Sequence, residues 1–185
     1  MAMHLGISQQ MVGMGAIISY SGEIAGEMMP FIEKIFPVLI NIVAIMGCFI
    51  AIPVIQRIGR KKTLTYGSLS LSISLGILSL SLGKFNFTNI ETNSTLHSIW
   101  IMFVFIFIRL IFSISLGPLV WMYVPEIVQP NIVPYPTMLN WMTVAGVNLL
   151  FPILTALAGG NPAWVFFIFC MYMLGCSVIN HKFLV

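Results

Sequence analysis

The sequence predicts an all-α membrane protein: a single transmembrane domain over residues 1–185, built as a bundle of six transmembrane helices. Three observations carry this reading. Of the 185 residues, 59% are hydrophobic and only 7% charged, whereas a soluble domain carries about 25% charged residues. The mean hydropathy is +1.02. Apolar runs of about 20 residues, enough to cross a bilayer, recur along the chain between turn-forming segments. A chain so poor in charge excludes a soluble enzyme, and a net charge of +3 without a basic cluster of nucleic-acid type excludes DNA or RNA as partner.

The predicted spans are 5–27, 35–56, 63–83, 99–122, 137–158 and 163–180. The first lacks the charged n-region and cleavage site of a signal peptide and so reads as a retained span. It ends in turn chemistry at Glu27, Pro30, Glu33 and Lys34. The second stops at Arg57-Ile58-Gly59-Arg60-Lys61-Lys62, which holds half of the eight Lys and Arg of the chain. By the positive-inside rule this loop is cytoplasmic, and six spans then put both termini on the same side. The third carries Gly67, Ser68, Ser70, Ser72, Ser74 and Gly76, small residues that let helices approach closely, within the bundle or between copies.

The polar stretch Lys84 to Ser98 must be aqueous, and with cytoplasmic termini it faces outward or into a lumen. It contains two glycosylation sequons, at Asn86 and Asn93, in a loop short enough that chance occurrence is the competing reading. The fourth span carries Arg109 near its middle and Gly117-Pro118 near its end, where the helix is expected to break; broken helices at membrane depth line cavities. The fifth opens near Asn140-Trp141, and Gly159-Gly160-Asn161-Pro162 separates it from the sixth.

Chemistry narrows the classes. Cys48, Cys170 and Cys176 lie inside apolar runs, and His4, His97 and His181 are far apart, so neither a metal, a disulfide framework nor a cofactor is expected. No histidine sits mid-span to serve a nucleophile, so no catalytic residue is assigned. A single mid-span arginine is no voltage sensor, and the chain lacks the threefold repeat of a mitochondrial carrier. A transporter half or a non-catalytic membrane subunit remains.

Four motifs in order narrow the reading further. Gln9, Gln10, Gly13, Ala16 and Tyr20 fit a Q-Q-x-x-G-x-N-A-x-x-Y-Y pattern; Arg57, Gly59, Arg60 and Lys61 fit R-x-G-R-R; Gly117, Pro118, Trp121 and Glu126 fit G-P-x-x-W-x-x-x-x-E; Asn140 and Trp141 supply an Asn-Trp pair. Together they resemble the C-terminal six-helix half of a major-facilitator sugar porter of glucose-facilitator type, over almost the whole chain. The resemblance implies transport of a sugar or polyol by alternating access, without enzyme activity. Gln9, Gln10, Tyr20, Asn41, Trp121 and Asn140 would bind the solute: amides supply both donors and an acceptor to hydroxyls, and the indole gives the ring an apolar face. Gly117 and Pro118 would form a gating break, while Arg57, Gly59, Arg60, Lys61 and Glu126 would form a cytoplasmic turn and charge network. The implied partners are the solute, membrane lipid, and an N-terminal six-helix half or a second copy. The host membrane is the plasma membrane or an endomembrane.

Departures from the pattern are equally specific. The asparagine of the first motif falls at Gly15, and that of the eighth helix falls near Ala44, with Asn41 one turn away as a substitute. An acid falls at Ser113, another at Gln56, and no arginine follows Glu126 before Met138. Two lost hydrogen bonds of ~1 kcal/mol each would weaken hexose binding by over tenfold. A changed solute, or a non-transporting accessory subunit with a degenerate transporter fold, therefore stands as the alternative. Arg109 is an addition that costs at least ~2.5–3.5 kcal/mol at mid-membrane unless it meets water or a partner. It either faces the cavity and favours an acidic solute, or pairs with Glu23 or Glu27, or snorkels; the pairing is the plainer reading.

Overall fold

The computed structural model describes residues 1–28, 32–83 and 95–184, and among them every regular element is helical. In order these are α1 (Ala2–Gln10), α2 (Met14–Met28), α3 (Phe36–Ile58), α4 (Arg60–Leu82), α5 (Thr95–Ile114), α6 (Leu116–Ile127), α7 (Pro134–Leu157) and α8 (Ala163–Phe183). Five helical stretches are long and apolar enough to cross a membrane: α3, α4, the α5–α6 pair from Leu96, α7 and α8. With the family evidence below, they make this an integral multi-pass membrane protein.

Two expectations need correcting. The run 5–27 is not one helix, because the chain turns at Met11–Gly13 between α1 and α2. Gly13 has φ +76°, and a Cβ there would meet the Phe169 ring at 2.4 Å, so conformation and space both require glycine. The fourth run breaks at Ser115, not at Gly117-Pro118. Ser115 has φ −111° and ψ −93°, while Gly117 and Pro118 sit in the first turn of α6, where a missing N–H costs nothing. The basic loop is also shorter than expected. Gly59 alone, at φ +85°, joins α3 to α4, so Arg57 closes one helix and Arg60, Lys61 and Lys62 open the next.

The core is held most tightly by α4 and α8. These antiparallel helices are joined by Ser177 Oγ donating to Thr65 O (3.0 Å), Ser72 Oγ to Cys170 O (2.8 Å) and Ser79 Oγ to Ala163 O (2.8 Å). The partners recur every seven residues on both helices, the spacing that keeps one seam facing its neighbour. Asn180 Nδ2 adds a bond to Ser68 Oγ at 3.1 Å. Gly67 faces α6's leading edge, where a Cβ would meet the Ser115 Cβ at 2.3 Å. The small residues of the third span therefore serve packing inside the bundle. An aromatic chain, Tyr20–Phe151–Phe166–Phe105, crosses the bundle with centroid separations of 5.3, 5.6 and 5.9 Å and sets a common level on α2, α7, α8 and α5.

Candidate functional site

The two helix breaks meet. Gln9, buried in the last turn of α1, donates its Nε2 to the carbonyls of Leu116 (3.0 Å) and Gly117 (2.9 Å), just beyond the break at Ser115. Its Oε1 accepts from Asn140 Nδ2 at 2.6 Å, and the same nitrogen donates to Gly6 O at 2.8 Å. Gln10 Nε2 donates to Asn140 Oδ1 at 3.0 Å. Asn140 lies two turns into α7, fully buried, as the hub of three elements. α1 reaches it closely because Gly6 has no side chain; a Cβ there would lie 2.5 Å from Pro136 O.

The geometry separates the amides by role. Gln9 and Asn140 spend their donors and acceptors on each other, on Gln10 and on the backbone, so in this conformation they hold α1, α6 and α7 together. Gln10 is half-buried and keeps its carbonyl oxygen and one N–H outside these bonds. Trp121 of α6 is 44% exposed and shares a small crevice with Gly6 and Asn140. The exposed indole beside Asn140 offers a stacking face, and Gln10, bonded to the same Asn140, keeps a partner for a hydroxyl.

The remaining predicted residues lie further off. Tyr20 OH donates to Asn148 O at 3.4 Å while its ring stacks on Phe151. Asn41 is exposed on α3, and its amide donates to Pro37 O of its own helix. Arg60 pairs with Glu126, tying the start of α4 to the end of α6. Arg57 and Lys61 make no ion pair among the described residues. Both sequons fall outside the described residues, as do the side chains of Glu23 and Glu27.

Asn148 escaped the sequence reading. Its Oδ1 is buried without a hydrogen-bond partner, directly over Gly15, where a Cβ would lie 2.6 Å from it. Gly15 is the position where the first motif departs from asparagine, so an amide reaches that spot from α7 instead. The signal was present as spacing: Asn140, Val144 and Asn148 follow one stripe of a helix at four-residue intervals.

The whole chain, residues 1–185, matches the family described as Sugar (and other) transporter. It is 29% identical to the probable metabolite transport protein CsbC of Bacillus subtilis, over 92% of this chain and 36% of that protein. It is also 29% identical to the galactose-proton symporter of Escherichia coli, over 88% of this chain and 35% of that one. Its fold is similar to that of the major-facilitator proton:xylose symporter XylE, solved with 6-bromo-6-deoxy-D-glucose, at a TM-score of 0.83 and 18% identity, covering 100% of this chain and 39% of that structure. The chain thus spans about a third of the length of the relatives it matches.

Proposed function

This chain belongs to the sugar (and other) transporter family, and we propose that it moves a sugar or polyol across a membrane by alternating access, as the C-terminal six-helix half of the transport unit. The observation that carries this reading is the amide cluster at the meeting of two helix breaks: Gln9 and Asn140 lock α1, α6 and α7, and Gln10 and Trp121 present a free amide and an indole beside them. Broken helices at a midplane site are how such transporters combine binding with movement. Asn148 and Tyr20 extend the polar lining along α2 and α7. Gln9 acts mainly by holding the break, so its loss removes the gate's geometry before any solute contact.

In this reading there are six spans, both termini are cytoplasmic, and Arg60–Glu126 latches the cytoplasmic end. The other half of the cavity comes from an N-terminal six-helix half or a second copy, since two halves enclose the solute in such folds. The test is uptake of labelled D-glucose, D-galactose, D-xylose and a hexitol by cells lacking their own hexose uptake and expressing the protein that carries this chain. Uptake of at least one is expected. Gln10→Ala and Asn148→Ala should each raise KM by about fivefold to tenfold, the worth of one neutral hydrogen bond. No uptake at normal surface abundance would favour the accessory-subunit alternative.

A further inference from the structure

One end of the bundle is strongly cationic. Arg57 lies in the last turn of α3, Arg60, Lys61 and Lys62 open α4, and antiparallel α8 brings His181 and Lys182 in its last turn to the same end. Against these five Lys and Arg, Glu126 is the single carboxylate at that end among the described residues, and Arg60 already takes it. The other four acids of the chain, Glu23, Glu27, Glu33 and Glu91, fall in sequence in the second half of α2, between α2 and α3, and between α4 and α5, toward the opposite end. Lys62 and Lys182 are exposed and make no ion pair among the described residues.

These two lysines head an apolar wall. The α4–α8 ladder sets their level: Lys62 precedes Thr65 by three residues and Lys182 follows Ser177 by five, so they lie within about two residues, or about 3 Å, of one height. Beyond Lys62 on α4, Tyr66, Leu69, Ile73 and Ile77 are all exposed, at steps of three or four residues; Val178, Leu174, Met171 and Phe167 repeat this beyond Lys182 on α8. At 100° per residue each stripe lies about a quarter turn from the ladder residues of its own helix, in the same rotational sense along each chain. In an antiparallel pair, equal senses put both stripes on one side. From Tyr66 to Ile77 the wall runs about 16 Å, the depth of one leaflet of a hydrocarbon core about 30 Å thick.

We infer that Lys62 and Lys182 bind the phosphate of an acidic glycerophospholipid, whose acyl chains lie along the α4–α8 wall, with Tyr66 at the membrane–water boundary between them. Charge complementarity selects this occupant. A zwitterionic lipid would cover the apolar stripes and leave the cationic end uncompensated, whereas an acidic one answers both. Lysine suits the position, because its apolar stem follows the wall while its ammonium group reaches the headgroup. The site requires only that the chain spans a membrane, and it stands apart from the amide cluster.

The experiment is native mass spectrometry of the full-length protein that carries this chain, titrated in detergent micelles with palmitoyl-oleoyl phosphatidylglycerol or with the phosphatidylcholine of the same acyl chains. The wild type should hold phosphatidylglycerol about twentyfold more tightly, from about fivefold for each lysine. Lys62→Gln with Lys182→Gln should reduce that affinity to the phosphatidylcholine level, and Lys62→Arg with Lys182→Arg should keep it within about threefold. Arg57→Gln with Lys61→Gln removes the same charge from the α3 end and from the seam face of α4, and should also stay within about threefold. Equal affinity of the wild type for the two lipids overturns the inference, as does an unchanged preference in the double glutamine variant at Lys62 and Lys182. An equal loss in the Arg57 and Lys61 variant overturns it too, because the attraction then belongs to the whole cationic end and not to a site.

Discussion

The α4–α8 seam and the helix α3 follow opposite rules. The most apolar stretch of α4 has a mean hydropathy of only 1.3 yet is 56% buried, whereas that of α3 reaches 2.7 and is 22% buried. In water the order would be reversed. In lipid the polar hydroxyls go inside, where they find carbonyl partners, and the apolar side chains go outside, because hydrocarbon solvates them as well as protein does. α7 breaks the pattern: its hydropathy is 1.4 but only 17% of it is buried. Its polar side chains converge on α1 and α2 through Asn140 and Asn148, and its exposed Trp141, Leu149 and Leu157 are left for lipid or for another half.

That contrast can be broken at the seam or sharpened at the exposed faces. Gly67→Leu should be the most damaging change, at about 3 kcal/mol or more by reversible unfolding in mixed micelles, because even a Cβ overlaps Ser115. Asn140→Leu should cost about 1–3 kcal/mol by the same measurement and abolish uptake, since it strands Gln9 Oε1 and Gly6 O. Removing the seven-residue ladder with Ser72→Ala, Ser79→Ala and Ser177→Ala together should cost about 2 kcal/mol, at roughly 0.6 kcal/mol for each membrane hydrogen bond. Arg60→Gln should cost under about 1 kcal/mol, with the loss shrinking as salt rises, because both partners are exposed. Phe49→Ala on α3 should stay within about 0.5 kcal/mol. An effect above 2 kcal/mol there would show that the exposed face of α3 carries stability of its own.

Much of the fold was legible because membrane spans are written in length and apolarity, and Gly59 and Gly159-Gly160 mark turns that the structure keeps. The four motifs led to Gln9, Gln10, Asn140 and Trp121, which the structure brings to one place. The breaks were read less well. Gly13 and Gly15 in an apolar run are as consistent with packing as with a turn, and only the Phe169 ring shows why Gly13 must bend. Gly117-Pro118 suggested a break two residues late, because proline is tolerated in a first helical turn and so marks the start of α6, not the gap before it. The spacing of Thr65, Ser72 and Ser79 was visible, but its partners lie across the chain and no local rule names them. Asn148 looked like an isolated polar residue until Gly15 was placed beneath it.

The serine ladder also has a consequence in time. Ser72 and its acceptor Cys170 are 98 residues apart, so at the usual rate of roughly 5–20 residues per second α4 is made several seconds before α8 exists. Through that interval its hydroxyls have only their own helix to bond, as Ser68, Ser74 and Ser81 still do through carbonyls four residues back. Those local bonds let a weakly apolar segment enter the bilayer and wait, and the arrival of the last helix closes the bundle.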